Sequence, residues 1–384
     1  MPENRSDLSR TYHNYLAPEA VVWLNGTKLT ELGVFFTELK VEQNIDGADT
    51  FAFTISDAID LEFEPHHAAL FRFGDTVEIH FGYADSVGSR ATLPVHFRGI
   101  ITTVNWNFGE ERYLDISVEG QDYSYLLMKH KYVQGGSGIG GNEPSWNDRR
   151  ADEIVREIVT ATYSNIFRSL SIESTQTRYK QARHQEENDY LYIRSLAEKS
   201  GFEVFVDGDT LYFRPPPASQ QSALTLRYGR EILGFTPEFN ADREVTKVRV
   251  IGVELSGDKK RVVGEASMPD SGGSGSDDGT SIRGLLKNVN AIEYEVKAPV
   301  KSVDEANERA KAILQQFASN LFKGEIRSVG IPELKAGTTI TLEGLGRRFS
   351  RSYYVEKARH VFGEQGYETV LSVRGSAYAL KASQ

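Results

Sequence analysis

Two acidic pairs, Glu110-Glu111 and Glu186-Glu187, are the residues of this 384-residue chain that would suit hydrolysis of a sugar polymer. In that chemistry one carboxyl serves as acid, and the other serves as base or nucleophile. The two must flank a glycosidic bond, roughly 5 to 9.5 Å apart. Adjacent residues in a turn or before a helix stand side by side in solvent and cannot do so. His66-His67 offers two metal-binding nitrogens, but neighbours on a strand project to opposite faces, and no further His, Asp or Glu accompanies them at ligand spacing. Gly136, Gly138, Gly140 and Gly141 have the glycine density of a phosphate-cradling loop, without the Lys-Ser/Thr that follows one or a surrounding βαβ unit. His360, between Arg359 and Val361 on an expected strand, is a hydrogen-bonding residue, with an interface role as the alternative. No G-x-S-x-G, H-E-x-x-H or EF-hand pattern occurs. The residues therefore define no catalytic, cofactor-binding or metal site, and the expectation is a protein that is not an enzyme. A cell-wall or polysaccharide hydrolase on a β-scaffold, or a carbohydrate-binding module, remains the alternative.

Composition narrows the class further. The chain is 39% hydrophobic with a mean hydropathy of −0.41, has no cysteine, and carries a formal net charge of −10. The absence of cysteine excludes disulfides and thiolate metal sites, so stability must come from packing and assembly. An acidic balance argues against specific nucleic-acid binding, which needs clustered Lys and Arg. No apolar run is long enough to span a bilayer, and Met1-Pro2-Glu3-Asn4-Arg5 opens no signal-peptide-like stretch. Synthesis in the cytoplasm without a signal peptide, followed by release as part of a particle, is the expected itinerary.

What must position any functional residue is a strand pair written twice. Phe108-Gly109-Glu110-Glu111-Arg112-Tyr113, leading into Ile116-Ser117-Val118-Glu119-Gly120, recurs as Phe362-Gly363-Glu364-Gln365-Gly366-Tyr367, leading into Leu371-Ser372-Val373-Arg374-Gly375. Upstream of each, Gly74-Asp75-Thr76-Val77-Glu78-Ile79 and Gly337-Thr338-Thr339-Ile340-Thr341-Leu342 share a glycine turn entering an alternating strand. Duplicated β-modules allow a trimer to present six similar units, a means of joining threefold to sixfold objects.

The expected fold is mainly β with an α+β insertion: two β-barrels plus a small α/β domain. Residues 1–17 form a polar arm and 18–127 the first barrel. Its hairpin turn is Asn25-Gly26, and its alternating strands lie at Thr37–Gln43 and Thr50–Ile55. Residues 128–223 hold the insertion, with helices over 150–163 and 189–200, the latter capped by Asn188 and stopped by Gly201. Residues 224–384 form the second barrel, including the strand Val245–Val253, a long Gly/Ser/Asp-rich loop over 256–284 and a helix over 302–320. Ser302 and Glu305 open that helix as a capping box. Loop residues 270–279 are expected to be dispensable for folding and to lie near a partner.

The stretch Gln185 to Phe202, with its Q-x-E-x-D-like start, Leu/Ala helix and stop glycine, resembles phage late control D proteins. So do Gly330-Ile331-Pro332 through Leu342, then Tyr353-Tyr354-Val355, His360 and Gly366-Tyr367-Glu368-Thr369. The resemblance covers most of residues 20–380. It implies tail-tube-like barrels and a contractile-tail or injection-system baseplate hub: a homotrimer whose pseudo-sixfold ring joins a trimeric spike to the hexameric tube. Tube proteins, the tube initiator and other baseplate proteins would be its partners. Ser350-Arg351-Ser352 departs from the Asp-Gly hairpin common at that position. The end at Gln384 implies a spike carried on a separate chain.

Overall fold

The computed structural model describes residues 15–58, 67, 69–84, 93–108, 113–133, 144–216, 222, 224–240, 244–253, 261–267, 292–298, 300, 302–320 and 322–375, together with Leu8 and Tyr12. The loop 270–279, the glycines at 136–141, Glu110, Glu111 and His66 lie outside the described residues, as does most of the 1–17 arm.

The first copy of the repeat supplies β1 (Pro18–Leu24), β2 (Thr27–Lys28), β3 (Phe36–Asn44), β4 (Thr50–Ala58), β5 (Thr76–Tyr83), β6 (Val95–Phe108) and β7 (Tyr113–Asp122). The insertion holds β8 (Ser145–Arg150), β9 (Ser169–Ile172), β10 (Arg178–Arg183), β11 (Glu203–Asp207) and β12 (Thr210–Arg214). The remainder is β13 (Leu224–Arg227), β14 (Ile232–Phe239), β15 (Lys247–Val253), β16 (Arg261–Ser267), β17 (Glu293–Lys297), β18 (Phe322–Val329), β19 (Thr339–Glu343), β20 (Ser352–Gly363) and β21 (Gly366–Gly375).

Local chemistry accounts for the turns. Asn25 and Gly26 both adopt positive φ, 49° and 84°, which lets β1 fold back on β2 with Leu24 opposite Thr27. The Asn25 side chain then bridges to the glycine turn before β5, accepting from Thr76 N at 2.9 Å and donating to Asp75 at 2.9 Å.

Both copies share one strand order. Setting aside the short β2, the first copy runs β1-β5-β6-β7-β4-β3 and the second β13-β19-β20-β21-β18-β14. Numbered one to six within each copy, both read 1-4-5-6-3-2. They differ in a single direction, because β1 is antiparallel to β5 whereas β13 is parallel to β19. Each copy also carries a one-residue bulge in its long hairpin, at Thr102 between the pairs Ile101–Gly120 and Thr103–Glu119, and at Glu356 between Val355–Val373 and Lys357–Ser372. The bulges stand 254 residues apart (356 − 102), the same interval as Phe108 and Phe362. In the hairpins' second strands the sequence alignment slips. Val118 faces Val104 and Leu371 faces Ala358, so Leu371 occupies the place of Val118 rather than that of Ile116. A slip of two residues leaves every side chain on the same face, so alternation cannot reveal it.

The two copies are joined to each other. They curl as halves of one 13-stranded sheet, joined where β3 pairs with β20. A single core runs through both halves, from Phe51, Phe53 and Phe97 to Phe322, Tyr353 and Leu371. Gly120 is required by close packing: a Cβ there would stand 2.1 Å from the Ile100 carbonyl and 2.3 Å from the Phe51 ring.

The insertion has its own core. The helix Ala151–Tyr163 buries Ile154, Val155, Ile158 and Val159 against the helix Asp189–Ser200 and the β11–β12 hairpin. Asn188 Oδ1 accepts from Leu191 N at 2.9 Å, and Gly201 stops that helix at φ 69°. Strand β9 joins β12 in parallel, and β8 pairs with β10.

One expectation for the second half is corrected. Val245–Val253 does not enter the second half-barrel. As β15 it forms a separate sheet with β16 and β17, and the helix Val303–Asn320 covers that sheet with Ala306, Ala310 and Leu314. The glycines decide this: a Cβ on Gly264 would lie 2.3 Å from the Ala306 backbone, so the helix sits directly on β16. The strand missing from the barrel is β14, whose Gly234 and Pro237 interrupt the strand signal. Ser350-Arg351-Ser352 leads from a short helical turn over Gly346–Phe349, which Ser350 caps, into β20, with Leu345 N donating to Ser350 Oγ at 3.0 Å.

Candidate functional site

Glu186 and Glu187 are exposed on the turn before the helix Asp189–Ser200, and His67 lies in a turn. A cleft of about 440 Å³ beside the helix Ala151–Tyr163 is lined by Arg149, Arg150, Asp152, Glu153 and Arg156; Arg150 pairs with Asp152 at 3.2 Å, and Glu153 pairs with Arg178 at 3.5 Å. Among the described residues no group of three or more His, Asp or Glu could hold a metal ion.

What the fold does build is a junction. From Lys357–Asn44 to Phe362–Leu39, six residue pairs close the sheet between the two copies. Below the bulge, Ser352 to Tyr354 pair instead with β19 of the same copy. Strand β20 thus changes partners at Glu356, and Ile45 N donates to the Glu356 carbonyl at 3.1 Å where it does so. Phe36 and Phe362 meet edge to face across the seam, their ring centres 6.1 Å apart.

A buried histidine pair lies under the junction. His96 on β6 and His360 on β20 are 2% and 0% exposed, with ring centres 4.1 Å apart. The nitrogen Nε2 of His360 stands 2.8 Å from the Leu334 carbonyl, which can only accept, so Nε2 carries the proton and Nδ1 accepts from Tyr367 OH at 2.7 Å. By the same logic His96 Nδ1 donates to the Pro332 carbonyl at 3.1 Å, leaving its Nε2 buried without a partner. Burial drives His360 down to about 3, with Lys335 opposing its charge as well. Burial drives His96 down too, reinforced by His360 and Lys335. Both rings are therefore neutral packing elements that also satisfy loop carbonyls.

Two further buried constellations gave no sequence signal, because their members are far apart in the chain. Asp189, fully buried at the start of its helix, accepts from His184 Nε2 at 2.8 Å, Tyr163 OH at 2.6 Å, Tyr132 N at 2.7 Å and His130 at 3.1 Å. Burial alone would raise its pKa, but these donors outweigh it and hold the carboxyl below its ordinary value. It ties Tyr132 and His130, downstream of the first half, to both helices of the insertion. Asp122 is pushed up to about 7 by burial, despite donation from Ser124, and burial together with the Asp122 charge raises Asp49 as well. Asp122 Oδ2 has no partner.

Ion pairs then clamp the insertion onto both halves: Arg98 to Asp209 at 2.9 Å, Lys335 to Asp207 at 2.9 Å and Arg374 to Glu203 at 2.5 Å.

The chain belongs to the family described as the Alg8 N-terminal domain, whose model matches residues 17–364. No curated protein sequence matches it. Among solved structures it is similar to the 43 kDa tail protein of prophage MuSo2 from Shewanella oneidensis, at 14% identity and a TM-score of 0.67, covering 94% of this chain and 99% of that one. It is similar to the tail protein from Neisseria meningitidis MC58, at 13% identity and a TM-score of 0.65, covering 95% and 98%. An E. coli component of the type VI secretion system, itself described as structurally similar to T4 bacteriophage tail proteins, aligns at 11% identity and a TM-score of 0.55 over 88% of this chain and 73% of that one. These likenesses establish the fold as that of tail proteins: mainly β, with two tube-like half-barrels and an α+β insertion.

Proposed function

We propose that the chain is a structural baseplate hub of a contractile phage tail or a related injection system. Three copies form a ring of six β-modules that joins a trimeric spike to the hexameric tail tube, with other baseplate proteins around it and no enzymatic role of its own. The domain limits follow from that reading: residues 18–127 and the 224–384 region supply the two modules, and 128–223 braces them. The observation that carries it is the pair of half-barrels with one strand order, 1-4-5-6-3-2, already joined edge to edge within one chain. Such modules repeat by rotation, and a closed ring satisfies every edge. The fold shared with tail proteins and a secretion-system component supports the setting. No described helix is long and apolar enough to cross a membrane.

Light scattering of the purified chain, alone and with its spike, tests the proposal. Three copies per particle and a ring of sixfold appearance by electron microscopy are expected. A monomer in both preparations refutes it.

A further inference from the structure

The junction inside the chain uses one edge from each copy, and among the described residues nothing pairs with the corresponding two edges. Within the chain, the fifth strand of the second copy (β20) pairs with the second strand of the first copy (β3). The unused counterparts are the fifth strand of the first copy, β6, and the second strand of the second copy, β14. Among the described residues strand β14 ends the sheet, and β6 pairs above its bulge with β7 alone. Equivalent residues differ in cover as this predicts. Phe362 packs on the core at the internal seam, while Phe108, 254 positions earlier, is 63% exposed. His360 is 0% exposed, while Trp106 in the same place is 42% exposed. Two large aromatic residues bare on a sheet edge call for a cover.

We propose that β14 of a second copy of this chain covers them, continuing the sheet from chain to chain in the register of the internal seam. That register can be written out. Strands β3 and β14 each carry a bulge against their inner neighbour, at Thr37 between the pairs Phe36–Ile55 and Glu38–Thr54, and at Leu233 between Ile232–Ser328 and Gly234–Arg327. These are 196 residues apart (233 − 37), so Leu39 to Asn44 correspond to Phe235 to Asn240. Transferring the internal pairs places Phe108 opposite Phe235, Asn107 opposite Thr236, Trp106 opposite Pro237 and Thr103 opposite Asn240 of the neighbouring copy. Pro237 offers no backbone donor. It thins the ladder at one position and disfavours pairing with unrelated strands, a known protection for edges. The contact is head to tail, because the two edges lie on different strands. It therefore propagates until it closes, and a ring rather than a pair is the result. This proposal rests on the hub reading above, which supplies the number of copies, while the register stands on the internal seam.

The absence of cysteine makes a direct test clean. Ile45 N donates to Glu356 O at the seam, and alternation makes Val361–Lys40 a non-hydrogen-bonded pair, with Asn107–Thr236 its equivalent between chains. Opposite Cα atoms in such a pair are about 4.5 Å apart, within reach of a disulfide. A chain carrying Asn107→Cys and Thr236→Cys is expected to oxidise to a covalently closed trimer on a non-reducing gel. Asn105→Cys with Thr236→Cys, displaced by two residues, is expected to remain uncrosslinked. Both positions are exposed in the free chain, so the substitutions leave its folding intact. Phe108→Lys is expected to give folded monomers by circular dichroism and light scattering. If the chain is trimeric by mass but the in-register pair does not crosslink, or the displaced pair crosslinks equally, the strand pairing is refuted and the hub reading survives. A chain that stays monomeric both alone and with its spike overturns both.

Discussion

Lowering the pH should weaken the junction through His96 and His360. In the unfolded chain both side chains titrate near 6.5. In the folded protein His360 is held to about 3, and His96 is also held well below its ordinary value, in both cases chiefly by burial. The folded state therefore refuses protons that the unfolded state accepts. Its full contribution is present above pH 6.5 and is lost as the pH falls towards the folded values. Each unit of pH in that window costs about 1.4 kcal/mol per histidine. Moving from pH 7.5 to 5 should thus remove about 2 kcal/mol for His360, and His96 adds to the loss in the same direction. The geometry gives the reason. Protonating His360 places a charge in a fully buried site and reverses its bond with Tyr367, and protonating His96 adds a buried N–H with no acceptor beside another ring 4.1 Å away. Urea unfolding at pH 7.5 and at pH 5 measures this directly. His96→Asn combined with His360→Gln keeps amide groups where the rings hydrogen-bond and removes both titrations. The variant will be less stable at pH 7.5, yet its loss on acidification should be smaller than that of the parent by most of the predicted amount. Equal losses in the two proteins would refute the reasoning.

Three other outcomes follow from the same physics. Asp122 is raised to about 7 by burial, so the folded state binds its proton more tightly than the unfolded state and its contribution falls as the pH rises from about 4 through 7; Asp122→Asn should therefore raise the melting temperature at pH 8 and change it little at pH 4.5. Asn188→Ala should cost about 1 kcal/mol in denaturant unfolding, since it removes the acceptor for Leu191 N. Gly120→Ala should cost about 3 kcal/mol or more, because its Cβ would meet backbone at 2.1 Å with nowhere to move.

Features written locally in the chain were legible. The Asn25-Gly26 turn, the Asn188 cap, the Gly201 stop and the alternating strands β3 and β4 all depend on residues close in sequence, so side-chain type alone specified them. The helix Val303–Asn320 was foreseen with its cap, Glu305 N donating to Ser302 Oγ at 3.2 Å. Its partner was not, because which sheet a stripe of alanines covers is decided by Gly264, some 40 residues earlier. Strand β14 escaped notice since Gly234 and Pro237 carry turn preferences that pairing with β18 overrides. The seam was invisible for a deeper reason. Val41 and His360 look like ordinary strand residues, and nothing in either marks the other as its neighbour. The Asp189 and His96–His360 clusters were missed likewise, their members being drawn from four or five separate segments.

The direct pairing of β3 with β20 also imposes a timetable on synthesis. Val41 waits for His360, 319 residues later (360 − 41), before its outer edge is filled. At roughly 5 to 20 residues per second, that delay is on the order of tens of seconds for a chain leaving the ribosome. During it the first half can pair β4, β7, β6 and β5 in order, yet β3 remains an unfinished border able to recruit any passing strand. A nascent chain truncated before β20 should therefore be captured by holdase chaperones or aggregate, while the released full-length chain should not.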